Sequence, residues 1–246
     1  NIFDLEEGHS ANNPRLKRVK QPHQHTPFFW DILKESKIEN ILIDLLGKDI
    51  SLKTSKLNTK APGGGAAVEW HQDWAFYPHT NDNVLALGLM INDVDFDNGP
   101  LMVIPKSHKG PVLSHNNNGV FCGAIDPNDK NFDISKAVTL TGKARSMTIH
   151  HARTLHGSAP NNSNKDRLML FYECNSADAW PLVGVGAYLN NTNPIDLCNQ
   201  MERQMLCGNV SYQPRMESVP VVLPLPPAPD YGSIFTTQKT GGAKSA

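Results

Sequence analysis

The feature of this sequence that most constrains its fold is a series of short strand-like segments separated by Gly, Asn and Pro. These segments are Ile50 to Lys60, Val84 to Asn92, Leu101 to Pro105, Ala137 to His151 and Leu168 to Tyr172. Short strands of this kind bury their apolar side chains by combining into two facing sheets or a closed barrel. The pattern therefore predicts a mainly β protein with flanking helices, built as a jelly-roll barrel.

The first of these segments alternates in a way that assigns its side chains to two faces. On a regular strand successive side chains point to opposite faces. Leu52, Thr54, Lys56, Asn58 and Lys60 are therefore expected on one face. The Pro62-Gly63-Gly64-Gly65 run that follows ends the strand and leads the chain toward His71.

The ends of the chain have different patterns. Apolar residues between Thr26 and Gly47 recur every three to four positions, which predicts two amphipathic helices. Residues 193–206 predict another helix, whereas the proline-rich stretch from Val219 and the Gly, Lys and Ser ending predict an extended arm or a disordered end. We expect one domain over residues 1–246, with a helical flank (1–49), a barrel core (50–176) and a C-terminal helix with a proline-rich arm (177–246).

Composition excludes several classes of partner. The formal net charge is -1 and the basic residues are scattered, so we expect no nucleic acid partner. The apolar runs are shorter than the roughly 20 residues that cross a bilayer, so we expect no membrane span. The 4 cysteines show no CxxC spacing, which favours reduced thiols in a cytoplasmic protein. The chain begins at Asn1 without a start methionine and is interpreted as either a trimmed sequence or a fragment. The sequence does not indicate an oligomeric state.

The stretch HQDWAFYP, residues 71–78, carries the strongest chemical signal. Residues i and i+2 of a strand share a face, so His71 and Asp73 are expected to bind one metal ion together. A third ligand must come from the other histidines of the 10 in the chain. His156 is the best of them, because it lies between two strand segments with Arg167 eleven residues beyond it. Two histidines and one carboxylate are typical of non-haem Fe(II) oxygenases.

Three stretches together resemble one known family. HQDWAFYP, then NGPLMVIPKSHKG, then LHGSAPNNSNKDR are similar in order and spacing to the phytanoyl-CoA dioxygenase family of Fe(II)- and 2-oxoglutarate-dependent oxygenases. The resemblance covers about Ser51 to Ser176. It implies a double-stranded β-helix fold, with Fe(II), 2-oxoglutarate and O2 as the cofactor and cosubstrates.

The resemblance also implies roles for individual residues. His71, Asp73 and His156 match the iron ligands that form the catalytic centre. Arg167 matches the arginine that pairs with the distal carboxylate of 2-oxoglutarate, and a guanidinium fork suits a carboxylate. The other matched cosubstrate positions are Ser158, Gln72 and Lys56.

Some positions depart from the family pattern. Lys56 occupies a place where methionine is usual, and Gly88 stands where a tryptophan lines the cosubstrate pocket. Arg18 aligns with a basic cosubstrate contact. Asp73 retains the carboxylate that related halogenating enzymes replace with a small residue, so hydroxylation is favoured over halogenation.

The expected reaction is hydroxylation of a C–H bond in a small metabolite, with release of succinate and CO2. Lys56 and Lys60 favour an anionic metabolite, although solvated strand lysines are the ordinary interpretation. Trp74, Tyr77 and Lys60 are expected substrate contacts, with core packing as the alternative for Trp74 and Tyr77. Three alternatives stay open: an acyl-CoA hydroxylase of the same family, a non-catalytic metabolite-binding barrel, and a Zn(II) hydrolase with the same ligands.

Overall fold

The computed structural model describes residues 2–6, 8–34, 37–63, 67–182, 194–221 and 234–245. Within them the strands are β1 (Phe3–Leu5), β2 (Leu16–Lys20), β3 (Ile50–Lys60), β4 (Val68–His71), β5 (Val84–Met90), β6 (Leu101–Val103), β7 (Asn116–Asn117), β8 (Val120–Phe121), β9 (Val138–Leu140), β10 (Met147–His151), β11 (His156–Ser158), β12 (Arg167–Ser176) and β13 (Met205–Cys207). The helices are α1 (Phe28–Lys34), α2 (Lys37–Leu46), α3 (Pro194–Arg203) and α4 (Ile234–Thr240).

Two antiparallel sheets form the body of the protein. The larger has the order β1-β2-β3-β12-β5-β10, with β13 paired to β3, and the smaller has the order β4-β11-β6-β9. Side chains from both sheets line one cavity, so the sheets lie face to face around it. This arrangement agrees with the predicted jelly-roll barrel.

The two N-terminal helices cover the outer face of the larger sheet. Leu33 of α1 and Leu42 of α2 are fully buried in one cluster with Leu52, Leu87 and Leu170 of the sheet. Burying each leucine stabilises the fold by about 1.5–3 kcal/mol. Helix α2 ends before Gly47, whose φ of +88° is the left-handed conformation that glycine adopts readily at a helix end. The two predicted helices are therefore present.

A bulge interrupts the alternation of β3. Glu173 pairs with Thr54 and Cys174 pairs with Leu52, so Lys53 is an extra residue between them. Leu52 consequently points toward the helices, whereas Thr54 faces the cavity. The expectation that Leu52 shares a face with Thr54 to Lys60 is wrong, because side-chain alternation shifts by one residue at the bulge.

The C-terminal region differs from its prediction in one respect. Helix α3 lies within the predicted range 193–206. The ending was expected to be extended or disordered, but residues 234–240 form α4. The Gln238 side chain holds α4 against the barrel: its Oε1 accepts from the Glu69 N–H at 3.0 Å, and its Nε2 donates to the Gly123 carbonyl at 3.0 Å. Most of the proline-rich segment, 222–233, lies outside the described residues.

Two further predictions concern the cysteines and the membrane. All 4 cysteines are free, with Cys122 and Cys174 buried. In the described ranges of the chain, the helices are too short or too polar to cross a membrane. A cytoplasmic location remains a prediction.

Candidate active site

The cavity between the two sheets brings together most of the residues singled out in the sequence. It encloses about 780 Å³, including the part open to solvent. Strands β3, β4, β5, β11 and β12 supply most of its wall, and Ile234 and Phe235 of α4 complete it. The C-terminal helix is therefore part of the cavity, which the sequence did not predict.

The three predicted metal ligands meet at one side of this cavity. One ligand atom from each of His71, Asp73 and His156 lies within 4.8 Å of the other two. Asp73 Oδ1 is 3.6 Å from His71 Nε2 and 3.8 Å from His156 Nε2. All three residues are buried. This donor set, two imidazoles and one carboxylate, fits a divalent iron ion.

The two histidines come from neighbouring strands, and Asp73 does not lie on a strand. Strand β4 ends at His71, and Asp73 begins a 3-10 turn over Asp73–Ala75. The expectation that both lie on one regular strand is therefore wrong, although the turn still carries the carboxylate to the same side. His156 is the first residue of β11 and pairs directly with His71.

Backbone carbonyls set the orientation of both imidazole rings. His71 Nδ1 lies 2.8 Å from the Glu69 carbonyl oxygen, and His156 Nδ1 lies 2.9 Å from that of Thr154. Because a carbonyl oxygen only accepts, each Nδ1 carries the proton and each Nε2 is left with a free lone pair. Such hydrogen bonds orient metal-ligating histidines in proteins.

Electrostatics keep the site in a form that can bind a metal. Burial holds the pKa of His156 well below its usual value, and the nearby His71 lowers it further. Burial alone would raise the pKa of Asp73, but the imidazoles of His156, His150 and His71 hold it well below its usual value. A neutral imidazole and an ionised carboxylate are the forms that ligate metals.

His150 is a fourth residue at this centre, and the sequence reasoning did not select it. Its Nε2 lies 3.7 Å from Asp73 Oδ2, and its ring centroid lies 4.5 Å from that of His156. Neither of its ring nitrogens has a hydrogen-bond partner in the part of the chain that the structure describes. Strand alternation in β10 could have identified His150, because it places His150 on the same face as the buried Thr148.

Another part of the cavity wall is strongly basic. Arg167, the first residue of β12, is 3% exposed, and its Nε and Nη1 find no acceptor among the described residues. Burial lowers the pKa of Arg167 to about 10. Ser158 of β11 and Lys60 of β3 line the cavity with it. Lys60 is 2% exposed, so it is not an ordinary solvated lysine.

A third group of side chains lies near Asp73. Tyr77 and Glu173 are on the cavity wall, and burial together with the Asp73 carboxylate raises the pKa of Glu173 to about 7. Lys56 is half-buried, with its ammonium 5.8 Å from the centre of the Phe171 ring. Tyr77 and Lys56 were predicted from the sequence, whereas Glu173 was missed, although alternation along β12 places it on the same face as Arg167.

Two predicted site residues do not reach the cavity. Trp74 is 1% exposed and packs with Val84 and Ala152, away from the lining. Gln72 points away from the ligands on either side of it: its Nε2 donates to the Arg153 carbonyl at 2.7 Å, and its Oε1 accepts from the Leu113 N–H at 2.8 Å. The interpretation of Trp74 as a substrate contact and of Gln72 as a cosubstrate contact is corrected accordingly.

Two departures from the family pattern also have a structural explanation. Gly88 pairs with Phe171, and a Cβ atom on Gly88 would lie 2.9 Å from that ring and 2.7 Å from Thr148 Oγ1. The neighbouring side chains therefore leave no room for a tryptophan at this position. Arg18, on β2, donates to the Asp4 carboxylate of β1 at 2.8 Å and does not line the cavity.

Comparisons with known proteins agree with this geometry. Residues 8–169 match the family described as phytanoyl-CoA dioxygenase (PhyH). A protein of Stutzerimonas stutzeri named probable alpha-ketoglutarate-dependent hypophosphite dioxygenase is 38% identical over 241 residues, which are 96% of this chain and 80% of that protein. The ectoine dioxygenase of Bordetella bronchiseptica is 24% identical over 188 residues, and the match spans 66% of this chain and only 58% of that enzyme.

A solved structure supports the fold. EctD from S. alaskensis with bound Fe superposes with a TM-score of 0.60 at 20% identity, covering 72% of this chain and 61% of EctD. The predicted jelly-roll fold is thereby confirmed. The sequence matches, the fold and the His-Asp-His cluster lead to one conclusion: this chain belongs to the phytanoyl-CoA dioxygenase family of iron- and 2-oxoglutarate-dependent oxygenases.

Proposed function

We propose that this chain oxidises a small anionic substrate, with His71, Asp73 and His156 holding the iron and Arg167 and Ser158 holding 2-oxoglutarate. One observation carries the proposal. A buried His-Asp-His cluster lies in the same cavity as a buried arginine that has no carboxylate partner among the described residues. With iron and 2-oxoglutarate bound, such a site activates dioxygen, converts 2-oxoglutarate to succinate and CO2, and transfers one oxygen atom to the substrate.

The role of Arg167 follows from its burial. Burying a guanidinium without a partner is costly, because the group loses its hydration and gains no opposite charge. A carboxylate from the cosubstrate would offset that cost and would accept from both free N–H groups in a fork. The Ser158 hydroxyl, on β11 of the smaller sheet, lines the same cavity and would donate to the same carboxylate. These two residues would fix one end of 2-oxoglutarate and leave its oxo acid end toward the histidines.

The substrate would bind beside the ligand cluster, in the part of the cavity wall formed by Lys56, Tyr77 and Glu173. Lys56 supplies a positive charge, and Tyr77 supplies a hydroxyl whose pKa burial raises well above its usual value, so it stays a donor. Phe76 packs edge-on against His71, with ring centroids 6.0 Å apart, and shields that ligand from water. A small anion fits this mixture of a cation and neutral donors.

The first substrate to test is hypophosphite. The relative with 38% identity is named for that ion. Hypophosphite is small and singly charged, and its reactive bonds are P–H rather than C–H. Insertion of one oxygen atom into a P–H bond would give phosphite. The proposed class of substrates therefore includes small oxyanions that carry either a P–H or a C–H bond.

A small zwitterion is the second candidate. Glu173 is buried in the cavity wall, where an ionised carboxylate would suit a cationic group of the substrate. The relative named ectoine dioxygenase acts on a molecule of that kind according to its name. An acyl-CoA substrate is less well supported, because the described wall is rich in polar side chains.

The experiment is a substrate panel with the iron-loaded protein. Hypophosphite, phosphite, ectoine, L-proline and an acyl-CoA are each supplied with 2-oxoglutarate and oxygen, and succinate is measured together with oxidised substrate. We expect tightly coupled turnover with hypophosphite, with one phosphite formed for each succinate. In Lys56→Met the KM for the anion should rise, whereas the surface control Lys130→Met should behave as the wild type. Coupled turnover with only a zwitterion or only an acyl-CoA would overturn the anionic assignment.

A further inference from the structure

We infer that Lys60 is a positioning residue of the 2-oxoglutarate anchor: its ammonium directs the Ser158 hydroxyl toward the distal carboxylate and adds a second positive charge beside Arg167. The inference rests on the proposed function of Arg167 and Ser158. It moves Lys60 from the expected substrate contacts to the cosubstrate end of the cavity.

The contacts of Lys60 define what it does. Its Nζ donates to Ser158 Oγ at 2.8 Å and to the Ser158 carbonyl oxygen at 3.3 Å, and it also contacts the Ala159 carbonyl oxygen. An ammonium has three donors and no acceptor. Ser158 Oγ must therefore accept from Lys60, and its own O–H remains available to donate elsewhere. In the cavity, the acceptor that this hydroxyl lacks would be a ligand oxygen.

The register of the sheet places the two cations together. Lys60 of β3 and Arg167 of β12 are direct cross-strand partners. Like charges in that relationship destabilise a sheet. Both residues are buried, at 2% and 3% exposure, and neither forms an ion pair in the described part of the chain. An anionic ligand between the strands would relieve this repulsion, so the pair is arranged for a carboxylate.

The ionisation of Lys60 depends on the charges around it. Burial holds the pKa of Lys60 well below its usual value, and the charge of Arg167 lowers it further, while Glu69 acts in the opposite sense. The Glu69 carboxylate itself accepts from Ser245 Oγ at 2.9 Å. A bound carboxylate would raise the pKa of Lys60 again and favour its charged form.

The sequence also provides space for the lysine stem. Gly99, in the NGP part of the second matched stretch, has φ of +83°, and a Cβ atom there would lie 2.8 Å from Lys60 Cδ. Glycine suits this position for two reasons: it adopts the left-handed conformation readily, and its lack of a side chain leaves room for that of Lys60.

The test compares two ligands that differ only at the distal end. Anaerobic Fe(II)-protein is titrated with 2-oxoglutarate and with 2-oxopentanoate, which has the same oxo acid end and no distal carboxylate, and binding is followed by the visible charge-transfer absorption. In Lys60→Met we expect the Kd for 2-oxoglutarate to rise on the order of tenfold, with the Kd for 2-oxopentanoate unchanged. The effect of Ser158→Ala should be smaller in the Lys60→Met background than in the wild type, because the two groups act together.

Each outcome has a distinct meaning. An equal rise for both ligands, or no rise for either, would overturn the role of Lys60 while leaving the cosubstrate site intact. Failure of the wild-type protein to bind 2-oxoglutarate at all would instead refute the proposed function. If Lys60→Met does not fold, Lys60→Gln keeps a donor to Ser158 without the charge, and the same selective weakening of 2-oxoglutarate is expected. Lys130→Met, at an exposed position, is the control.

Discussion

His71 and His156 are direct partners across the antiparallel pair of β4 and β11, and their imidazole rings lie 4.1 Å apart between centroids. This register is what makes two ligands 85 positions apart in sequence meet at one point. A slip of one residue would turn one ring to the opposite face of the sheet. The candidate iron centre is therefore a property of strand pairing, completed by the turn that carries Asp73.

Replacing Arg167 tests the cosubstrate anchor. Arg167→Met should weaken 2-oxoglutarate binding by about 2 kcal/mol or more, which is at least about 30-fold in Kd, because a charge-assisted fork is lost. The same change should not lower the free energy of unfolding of the ligand-free protein, because it removes a buried cation without a described partner. Calorimetric titration and urea unfolding measure the two quantities. Unchanged affinity for 2-oxoglutarate would refute the assignment.

Replacing Gln72 tests whether its side chain has a structural role rather than a role in cosubstrate binding. Its side chain satisfies the backbone of Leu113, Arg153 and Pro111, and Gln72→Leu would leave these buried groups unpaired. We expect a loss on the order of 3 kcal/mol in the free energy of unfolding, from urea curves of the metal-free protein. The folded fraction should still bind 2-oxoglutarate normally. Gln213→Leu, at an exposed position, is the control and should change stability little.

His79 makes stability depend on pH. Burial lowers its pKa to about 4, its Nδ1 lies 2.7 Å from the Tyr77 carbonyl oxygen, and it is fully buried. In the unfolded chain the ordinary pKa is near 6.5. As the pH falls, His79 therefore binds a proton in the unfolded state at a higher pH than in the folded state. The contribution of His79 is fully present above about pH 6.5 and is lost progressively between pH 6.5 and 4, by about 3 kcal/mol in total.

The measurement for His79 is urea unfolding of the metal-free protein at pH 7.5 and pH 5. The difference between the two free energies of unfolding should be smaller in His79→Asn, which keeps a donor near the Tyr77 carbonyl and does not titrate. An equal pH dependence in the variant and the wild type would contradict the assignment of His79 as a buried neutral imidazole.

Gln238 should control how firmly α4 closes the cavity. Its side chain bridges the backbone of Glu69 and Gly123, and the residues before it, Ile234 and Phe235, line the cavity. In Gln238→Ala we expect faster amide hydrogen exchange in α4 and at the Glu69 amide, with the exchange of β5 and β12 unchanged. Uniform acceleration across the protein would indicate general destabilisation, and no acceleration would show that other contacts hold α4.

The sequence predicted the parts of the fold that depend on local pattern and on the matched stretches. The helices α1 and α2 follow from apolar periodicity, and the HxD motif with His156 predicted the ligand cluster that the structure brings together. The bulge at Lys53 could not be predicted, because it is a property of pairing with β12. The contact between Lys60 and Ser158 joins residues 98 positions apart and leaves no local signal.

Two other differences between the sequence prediction and the structure also arise from tertiary contacts. Helix α4 has only 7 residues and depends on the tertiary hydrogen bonds of Gln238, so its propensity alone did not indicate a helix. Gln72 lies between two ligands in sequence, yet the alternation of side chains turns it toward Pro111 and Leu113. Proximity in sequence to a metal ligand therefore did not imply contact with the cavity.

We propose that His71, Asp73 and His156 hold iron in a site that binds 2-oxoglutarate. The most direct measurement is an anaerobic titration of the metal-free protein with Fe(II) and 2-oxoglutarate, followed by the visible charge-transfer band of an iron-chelated 2-oxo acid. We predict that the band appears in the wild type, persists in His108→Ala, which is outside the ligand cluster, and is absent in His71→Ala. A folded wild-type protein without the band, or a His71→Ala variant that keeps it, would contradict the account.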